Sequence, residues 1–407
     1  MNAPLSTTCC IAGGGPAGLM LGYLLARAGV EVLVLEKHLD FLRDFRGDTI
    51  HPSTLTVLHD LGLLDAFLAL PHQEVRELVA DVYGERVTIA DFTHLGVPHP
   101  ALVLIPQWDF LDFIARQARA LPNFTLRLGA NALGVIERDA RIHGVQVETA
   151  SGRLEVRADL VVAADGRHSS LRPSAGLASE DLDAPIDVLW FRLPRDAASN
   201  DTRTGGHIRA GGFLVTLDRG SYWQCAYVIA KGGFDALRGA GLEAFRDKVR
   251  AVVPELAAAV ATLSSWDDVK LLTVQVSRMP RWHRDGLLCI GDAAHAMSPV
   301  GGVGINLAIQ DAVAASNLLA APLRTGRLIE ADLAAVQHRR EWPARVTQRV
   351  QIAIQNNVLA PVLAGTRPSA ALPLPFKLLR RVPLLRRIPA RLVGIGVRPE
   401  RVRTGPA

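Results

Sequence analysis

Residues 8–36 read TCCIAGGGPAGLMLGYLLARAGVEVLVLE, and the reading of this stretch decides the fold. A short, mostly apolar run (residues 8–12) leads into Gly13, Gly15 and Gly18, and a helix-forming segment follows from Pro16 to about residue 28. Gly13 suits the tight turn out of a strand. Gly15 removes a side chain where a pyrophosphate must approach, and Gly18 lets the helix lie close on the strand. Pro16 is tolerated in a first helical turn, and Ala17 shares that turn. Gly29 ends the helix, and residues 30–35 are apolar apart from Glu31, close to what a strand buried on both faces requires. Glu36 closes the strand, with Lys37 beside it, about 20 residues beyond the glycines, where an acceptor for ribose hydroxyls belongs. An acid there suits a nucleotide with a free 2′-hydroxyl, as in FAD or NAD, and repels a 2′-phosphate. Strand, turn, helix, strand and terminal acid in this order predict a Rossmann-like α/β domain.

A second segment, residues 291–311, reads GDAAHAMSPVGGVGINLAIQD and follows the short apolar run GLLCI at 286–290. Gly291 and Asp292 then fall at the carboxyl end of a strand, where open parallel sheets bind ligands. Asp292 suits a ribityl or ribose hydroxyl. Gly301, Gly302 and Gly304 let the backbone approach a ligand, and from Ile305 apolar or small residues recur at helical spacing (Ile309, Ala312, Ser316, Leu319). The positive end of that helix faces whatever sits above the glycines.

With a third motif, Asp165 and Gly166 in VVAADGRHSSLR, the chain resembles the single-component class A flavoprotein monooxygenases, the para-hydroxybenzoate hydroxylase-like family. The resemblance spans roughly residues 5–350. It implies a Rossmann-like FAD-binding domain of the GR2 type on a mixed βαβ sheet, an inserted antiparallel-sheet substrate domain and C-terminal helices. By position it implies that Arg46 in DFRGDT reaches the flavin pyrophosphate and that Gln107 contacts FAD ahead of a helix. Asp165 would lie near both FAD and the nicotinamide path, with Arg172 closing that motif. Asp292 would hold the ribityl chain, Pro299 would flank the flavin edge, and the amides of Ile305 and Asn306 would donate at the pyrimidine end. Each has a plainer alternative: Arg46 as a solvated loop charge, Gln107 as a helix cap, Asp165 as a turn residue. His295, beside Asp292, reads as a histidine packed under the site rather than a base.

Forty-nine per cent of the 407 residues are apolar, enough for two or three domains with buried cores. The division expected is 1–70, 99–181 and 277–327 for the FAD-binding domain, 71–98 and 182–276 for the substrate sheet, and 328–407 for a helical segment with a basic tail. Cys9, Cys10, Cys225 and Cys289 show no CxxC or metal-ligand spacing and read as buried hydrophobes in a reducing compartment. The N-terminal residues lack a basic, then apolar, leader pattern, so the expected location is cytoplasmic. Residues 371–407 carry nine Lys and Arg against one Glu, so the net charge of +5 belongs to the tail. That tail wraps the body or meets a subunit in the favoured reading; an anionic membrane surface is the alternative, weakened by prolines at 373, 375, 383 and 389. Nothing points to nucleic acid or a metal, and a monomer and a homodimer both remain open.

Between the motifs, residues 74–92 read as a hairpin around Gly84, and 186–191, 206–217 and 221–230 as antiparallel strands. A helix from about residue 328 to 350 is interrupted at Pro343. Alternation places Tyr222, Gln224 and Ala226 on one face of the sheet and Trp223, Cys225 and Tyr227 on the other. The resemblance implies reduction of FAD by NADH or NADPH, used transiently, then reaction with O2 and hydroxylation of an aromatic or polyketide-like molecule through a flavin C4a-hydroperoxide. No catalytic base is identified; His207, Tyr222 and Tyr227 are the available groups. A reductase or dehydrogenase of the same fold, without oxygen insertion, is the alternative, and a non-enzymatic carrier a third reading.

Overall fold

The computed structural model describes residues 5–42, 49–195, 204–365 and 372–406. Arg46 lies outside the described residues. Strand β1 (Leu5–Ala12), helix α1 (Pro16–Arg27) and strand β2 (Val32–Glu36) form the expected unit. Helix α2 (Gln107–Arg119) leads to β3 (Phe124–Leu128), and β4 (Gly152–Ala163) and β5 (Leu287–Cys289) complete a parallel sheet in the order β5-β4-β1-β2-β3. Strands Asn131–Arg138 and Arg141–Thr149 add an antiparallel meander onto β4, which makes the sheet mixed. The turn at Asp139 and Ala140 has φ of 51° and 61°, the left-handed pair that a two-residue hairpin loop needs.

The core strands are buried on both faces: α1 and α2 pack side by side against β2 and β3, and the meander strand Asn131–Arg138 also contacts β2. Every residue of β2 is buried, and α1 buries ten of its twelve. Helix α3 (Gly304–Arg324) is long and apolar enough by composition to cross a bilayer, but it packs in the core and 67% of its most apolar stretch is buried. Helix α4 (Glu330–Ile354) packs on it. Pro343 does not interrupt α4, contrary to the sequence reading. The buried stripe Leu333, Val336, Arg340, Ala344, Gln348, Gln351 runs through it, so packing along the whole helix outweighs the roughly 3 kcal/mol an interior proline costs.

A second, seven-stranded sheet runs in the order Lys270–Leu272, Ile186–Pro194, Tyr222–Ala230, Gly212–Asp218, Gly205–Arg209, Glu77–Val82, Glu85–Asp91. It departs from the expected pattern in three places. Residues 206–217 are not one strand but a hairpin turning at Gly211 (φ 78°). The hairpin around Gly84 begins at Glu77, while Gln73–Val75 joins a separate small sheet with Thr49–Ile50 and Leu102–Leu104. The two insertions meet through a parallel pairing, Gly206 to Ala80 and Ile208 to Val82, so the sheet is not wholly antiparallel.

The two faces of this sheet meet different partners. Leu189, Phe191, Leu214, Trp223, Cys225 and Tyr227 pack against helix Leu242–Val252 and its neighbours. The opposite face carries Val188, Ala226 and Val228 with Trp190, Phe213 and Val215, and Val300 of the glycine-rich segment packs against it. This second face is the one turned toward the nucleotide domain.

Candidate functional site

The glycine turn after β1 is built by two kinds of constraint. Gly13 has φ of 108°, and a Cβ there would sit 2.3 Å from the Ala164 carbonyl oxygen. A Cβ on Gly18 would sit 1.9 Å from the Gly13 oxygen, so helix and turn touch through bare backbone. At Gly15 a Cβ would meet nothing within 4 Å. Packing therefore explains Gly13 and Gly18, while Gly15 opens onto space a ligand can use. Gly15 is also the N-cap of α1, with Pro16 at its first position and no side chain capping it, so the amides of Ala17 and Gly18 face outward without intrahelical acceptors.

Glu36 is buried at the end of β2. Its Oε2 accepts from the Gly14 amide at 2.9 Å and its Oε1 from the His38 amide at 3.1 Å, which fixes the carboxylate beside the turn. Lys37 next to it is exposed. Gln107 is the first residue of α2, whose N-cap is Pro106 with no side-chain cap bond, so Gln107 is not a helix cap. Its side chain is half-buried and makes no hydrogen bond among the described residues.

Asp165 lies against the turn, its amide nitrogen 2.9 Å from the position a Gly13 Cβ would take. Its Oδ2 accepts from the Ser170 amide at 2.8 Å, while Oδ1 is buried with no hydrogen-bond partner. A buried acceptor left open costs about 1–3 kcal/mol, so the site is incomplete without a donor from a ligand or water. Arg172 donates to the Ala293 carbonyl at 3.0 Å and ties this motif to the next. Asp292 is half-exposed, with Arg167 at 3.9 Å. Sequence reading passed over Arg167 although it lies inside the DG motif.

Gly291 (φ 61°) starts a 3-10 turn (Gly291–Ala293), and a Cβ on it would meet Ala17 and Ala308 at 3.2 and 3.3 Å, so the turn sits between α1 and α3. Asp311 holds it from below: its Oδ2 accepts from the Gly291 amide at 3.1 Å and from His295 Nε2 at 2.6 Å. Arg340 donates to Asp311 Oδ1 at 2.9 Å and to Glu400 at 3.4 Å, and Arg339 holds Glu400 at 2.6 Å. Burial alone would push the Asp311 carboxyl up; His295 and Arg340 outweigh it and hold it below the ordinary carboxylate range. His295 is buried and packs against Trp282, the rings tilted by 42° with centroids 4.8 Å apart, as expected of a histidine packed under the site.

Pro299 opens the glycine turn, accepting from the Gly302 amide at 3.0 Å, and Gly301 and Gly302 have φ of 80° and 62°. Three glutamines of α4 and its continuation clamp the loop. Gln348 donates to the Ala296 carbonyl at 3.1 Å, Gln351 to those of Ser298 and Val300 at 2.9 and 2.8 Å, and Gln355 bonds Ser298 Oγ. Their spacing of three and four residues was a visible signal that the sequence reading did not use. Gly304 begins α3, and the amides of Gly304, Ile305 and Asn306 have no intrahelical acceptor. The Asn306 side chain also braces the neighbouring segment, because its Oδ1 accepts from the His51 amide at 2.9 Å and Thr54 Oγ1 at 2.7 Å. His51 is fully buried, donates through Nδ1 to the Val393 carbonyl at 2.7 Å, and leaves Nε2 without a partner near Gly302. Burial pushes its imidazole down to about 4 against the pull of the Val393 carbonyl.

Two of the three groups offered as a base belong to the wrong face. Tyr227 is buried against Phe245 (5.7 Å between centroids), and burial pushes its hydroxyl up to about 12. His207 pairs across the sheet with Leu214 on that same helix-covered face and bonds Thr216 at 2.9 Å. Tyr222 lies on the face turned to the glycine loop but at the remote end of its strand, under Arg192.

A parallel sheet with a glycine turn, a buried acid closing its second strand and a second glycine-rich turn at its carboxyl ends, joined to a separate sheet, is the arrangement of a dinucleotide-binding fold. Residues 6–350 match the FAD binding domain family, and the chain belongs to that family. It is 36% identical over 405 residues to the 6-methylpretetramide 4-monooxygenase of Streptomyces rimosus, covering 98% of this chain and 94% of the relative. The anhydrotetracycline hydroxylase OxyS of Streptomyces rimosus shares the fold with a TM-score of 0.74 at 23% identity, over 96% of this chain and 76% of that one. The p-nitrophenol 4-monooxygenase PnpA of Pseudomonas putida DLL-E4 shares it at 0.76 and 20% identity, over 97% and 100%. The chain is an FAD-dependent monooxygenase of class A.

Proposed function

We propose that this monooxygenase uses NADH or NADPH as a transient reductant to hydroxylate a multi-ring, polyketide-like aromatic molecule. The observation that carries the substrate class is the sheet face turned to the glycine loop. It is apolar, with Trp190, Ala226, Val215 and Gly206 in register across four neighbouring strands and Val300 of the glycine loop packed against it. Such a surface suits a broad, flat apolar ligand. The relative of similar length being named for action on 6-methylpretetramide supports the same reading.

The residues present fit FAD. Gly15 leaves room for a pyrophosphate at the uncapped N-terminus of α1; by resemblance Arg46 would reach that group and Gln107 would contact FAD ahead of α2. Glu36, with Lys37 beside it, would receive ribose hydroxyls, Asp292 the ribityl chain, and Asp165 Oδ1 a donor from the cofactor or a bridging water. Bound FAD supplies the redox and oxygen-transfer chemistry. The protein's share is positional and electrostatic. The open amides of Ile305 and Asn306, at the positive end of α3, would stabilise negative charge on a bound flavin. Gln351 and Gln355 keep the Pro299–Gly302 turn in register beneath it. The apolar sheet face against which Val300 packs would exclude water from the flavin site. Four free, buried cysteines suit a reducing, cytoplasmic setting.

The test is the visible spectrum of the purified protein, identification of the nucleotide released on denaturation, and product mass after incubation with NADH or NADPH and polycyclic phenols. A gain of one oxygen atom supports the proposal. Turnover of simple monocyclic phenols in preference to multi-ring ones refutes the substrate class.

A further inference from the structure

The basic tail presents two faces, and only one is used by the protein. Helix Leu374–Arg381 turns Phe376 and Leu379 inward, where they pack with Val362, Ile208 and Phe213 at the edge of the substrate sheet. Farther along, Ala390 and Val393 pack on Phe92 and Leu102. The outward face is also apolar. Leu374, Leu378, Val382, Leu384 and Ile388 are 69, 45, 41, 67 and 65% exposed. Leu374 and Leu378 lie one turn apart on helix Leu374–Arg381, Val382 follows at its end, and Leu384 and Ile388 extend the exposed apolar run through the two short helices that follow. These five are among only twelve exposed large hydrophobics in the described residues, and they fall within fifteen positions. An apolar cluster of this kind marks an interaction surface.

Its charge selects the partner. Lys377, Arg381, Arg387 and Arg391 are exposed and form no ion pair among the described residues, while Arg380 is held by Glu85. No acidic residue occurs between 372 and 399. On the helix, Lys377 and Arg381 lie about one side of the 374–378–382 stripe, the arrangement in which apolar side chains enter the acyl boundary while cations meet headgroups. A second copy of this surface would bring like charges together, which opposes a symmetric dimer through it.

We propose that residues 374–388 form a docking surface for an anionic lipid bilayer. The prolines that weakened a membrane-surface reading in the sequence do not prevent it, because Pro375, Pro383 and Pro389 sit in the first turns of three short helices, where proline is tolerated. The proposal does not depend on the reaction. Its consequence for the enzyme is that the segment covering one edge of the substrate sheet would rest on the bilayer, where apolar ring systems partition.

The test is sedimentation of the FAD-loaded full chain with vesicles of phosphatidylcholine alone and of phosphatidylcholine with an equal part of phosphatidylglycerol. Pelleting with the mixed vesicles, at least about tenfold weaker with the neutral ones and falling with salt, is the expected result. A variant carrying Leu378→Glu, Leu384→Glu and Ile388→Glu, and a second carrying Arg381→Glu and Arg387→Glu, should each lose about tenfold or more with FAD content unchanged. Absence of pelleting, or equal pelleting with both vesicles, overturns the proposal. So does concentration-dependent dimerisation abolished by Leu384→Glu, which would identify a second copy as the occupant, or retention of vesicle binding by both variants.

Discussion

Replacing Arg340 by Leu should expose how far the turn of Gly291 depends on charges beneath it. Arg340 is 1% exposed and bridges two buried carboxylates, Asp311 (0%) and Glu400 (3%). Removing one partner of a buried pair costs about 3–5 kcal/mol when the other is left alone. Here it is not left alone. Asp311 keeps His295 at 2.6 Å and the Gly291 amide at 3.1 Å, and Glu400 keeps Arg339 at 2.6 Å. The loss is one strong bond at 2.9 Å and one weak one at 3.4 Å, so the lower end, about 3 kcal/mol at pH 7.5, is expected. The pH dependence carries a sign. In the native protein the Asp311 carboxyl lies below its ordinary value, so its contribution is present above about pH 4 and fades as pH falls through the lowered value. In the variant burial, the largest influence on this group, is opposed by one cation fewer and raises it. The variant then takes up a proton on folding, and its deficit should shrink between pH 7.5 and pH 5. Urea unfolding followed by tryptophan fluorescence at the two pH values reads both quantities, and titration of apoprotein with FAD reads the turn itself. A deficit under about 1 kcal/mol, unchanged with pH and with FAD affinity intact, would refute the reasoning.

Three further outcomes follow from the same geometry. Gly15→Val should leave the apoprotein's urea midpoint close to the parent's while abolishing FAD retention, because its side chain enters open space; Gly18→Val, aimed at the Gly13 carbonyl 1.9 Å away, should lower the midpoint itself. Normal FAD content in the Gly15 variant would remove that residue from the site. Asp292→Ala should weaken FAD binding about tenfold, the worth of roughly one charge-assisted hydrogen bond, with the melting temperature of the apoprotein unchanged; unaltered affinity by fluorescence titration would count against it. His51, pushed down to about 4 by burial, stays neutral in the fold while an unfolded histidine protonates below about 6.5. Its contribution is present above that value and is lost as pH falls toward 4, by about 3 kcal/mol in all, so His51→Gln should flatten the stability profile between pH 6.5 and 4.5. Parallel profiles would exclude it.

What could be read in the sequence was local. The turn from Gly13 to Gly18 and the acid at Glu36 fall within one strand-helix-strand unit, where steric and hydrogen-bonding demands recur at fixed offsets. The charges beneath Gly291 could not be read that way. Asp311 closes the 291–311 segment, but Arg340 and Glu400 follow 29 and 89 positions later, and only packing of α4 and the tail against α3 joins them. The two faces of the second sheet were visible as alternation. Which face meets the flavin side depended on helix Leu242–Val252 covering Tyr227 and Phe191, a tertiary choice with no signature in the strands themselves. The glycines make the same point more sharply. Gly15 and Gly18 are equivalent letters of one motif, yet the protein's own backbone bars a side chain at Gly18, while at Gly15 a Cβ meets no atom of the protein within 4 Å. A motif records both demands in one residue type, and the empty volume around a Cβ is what separates them.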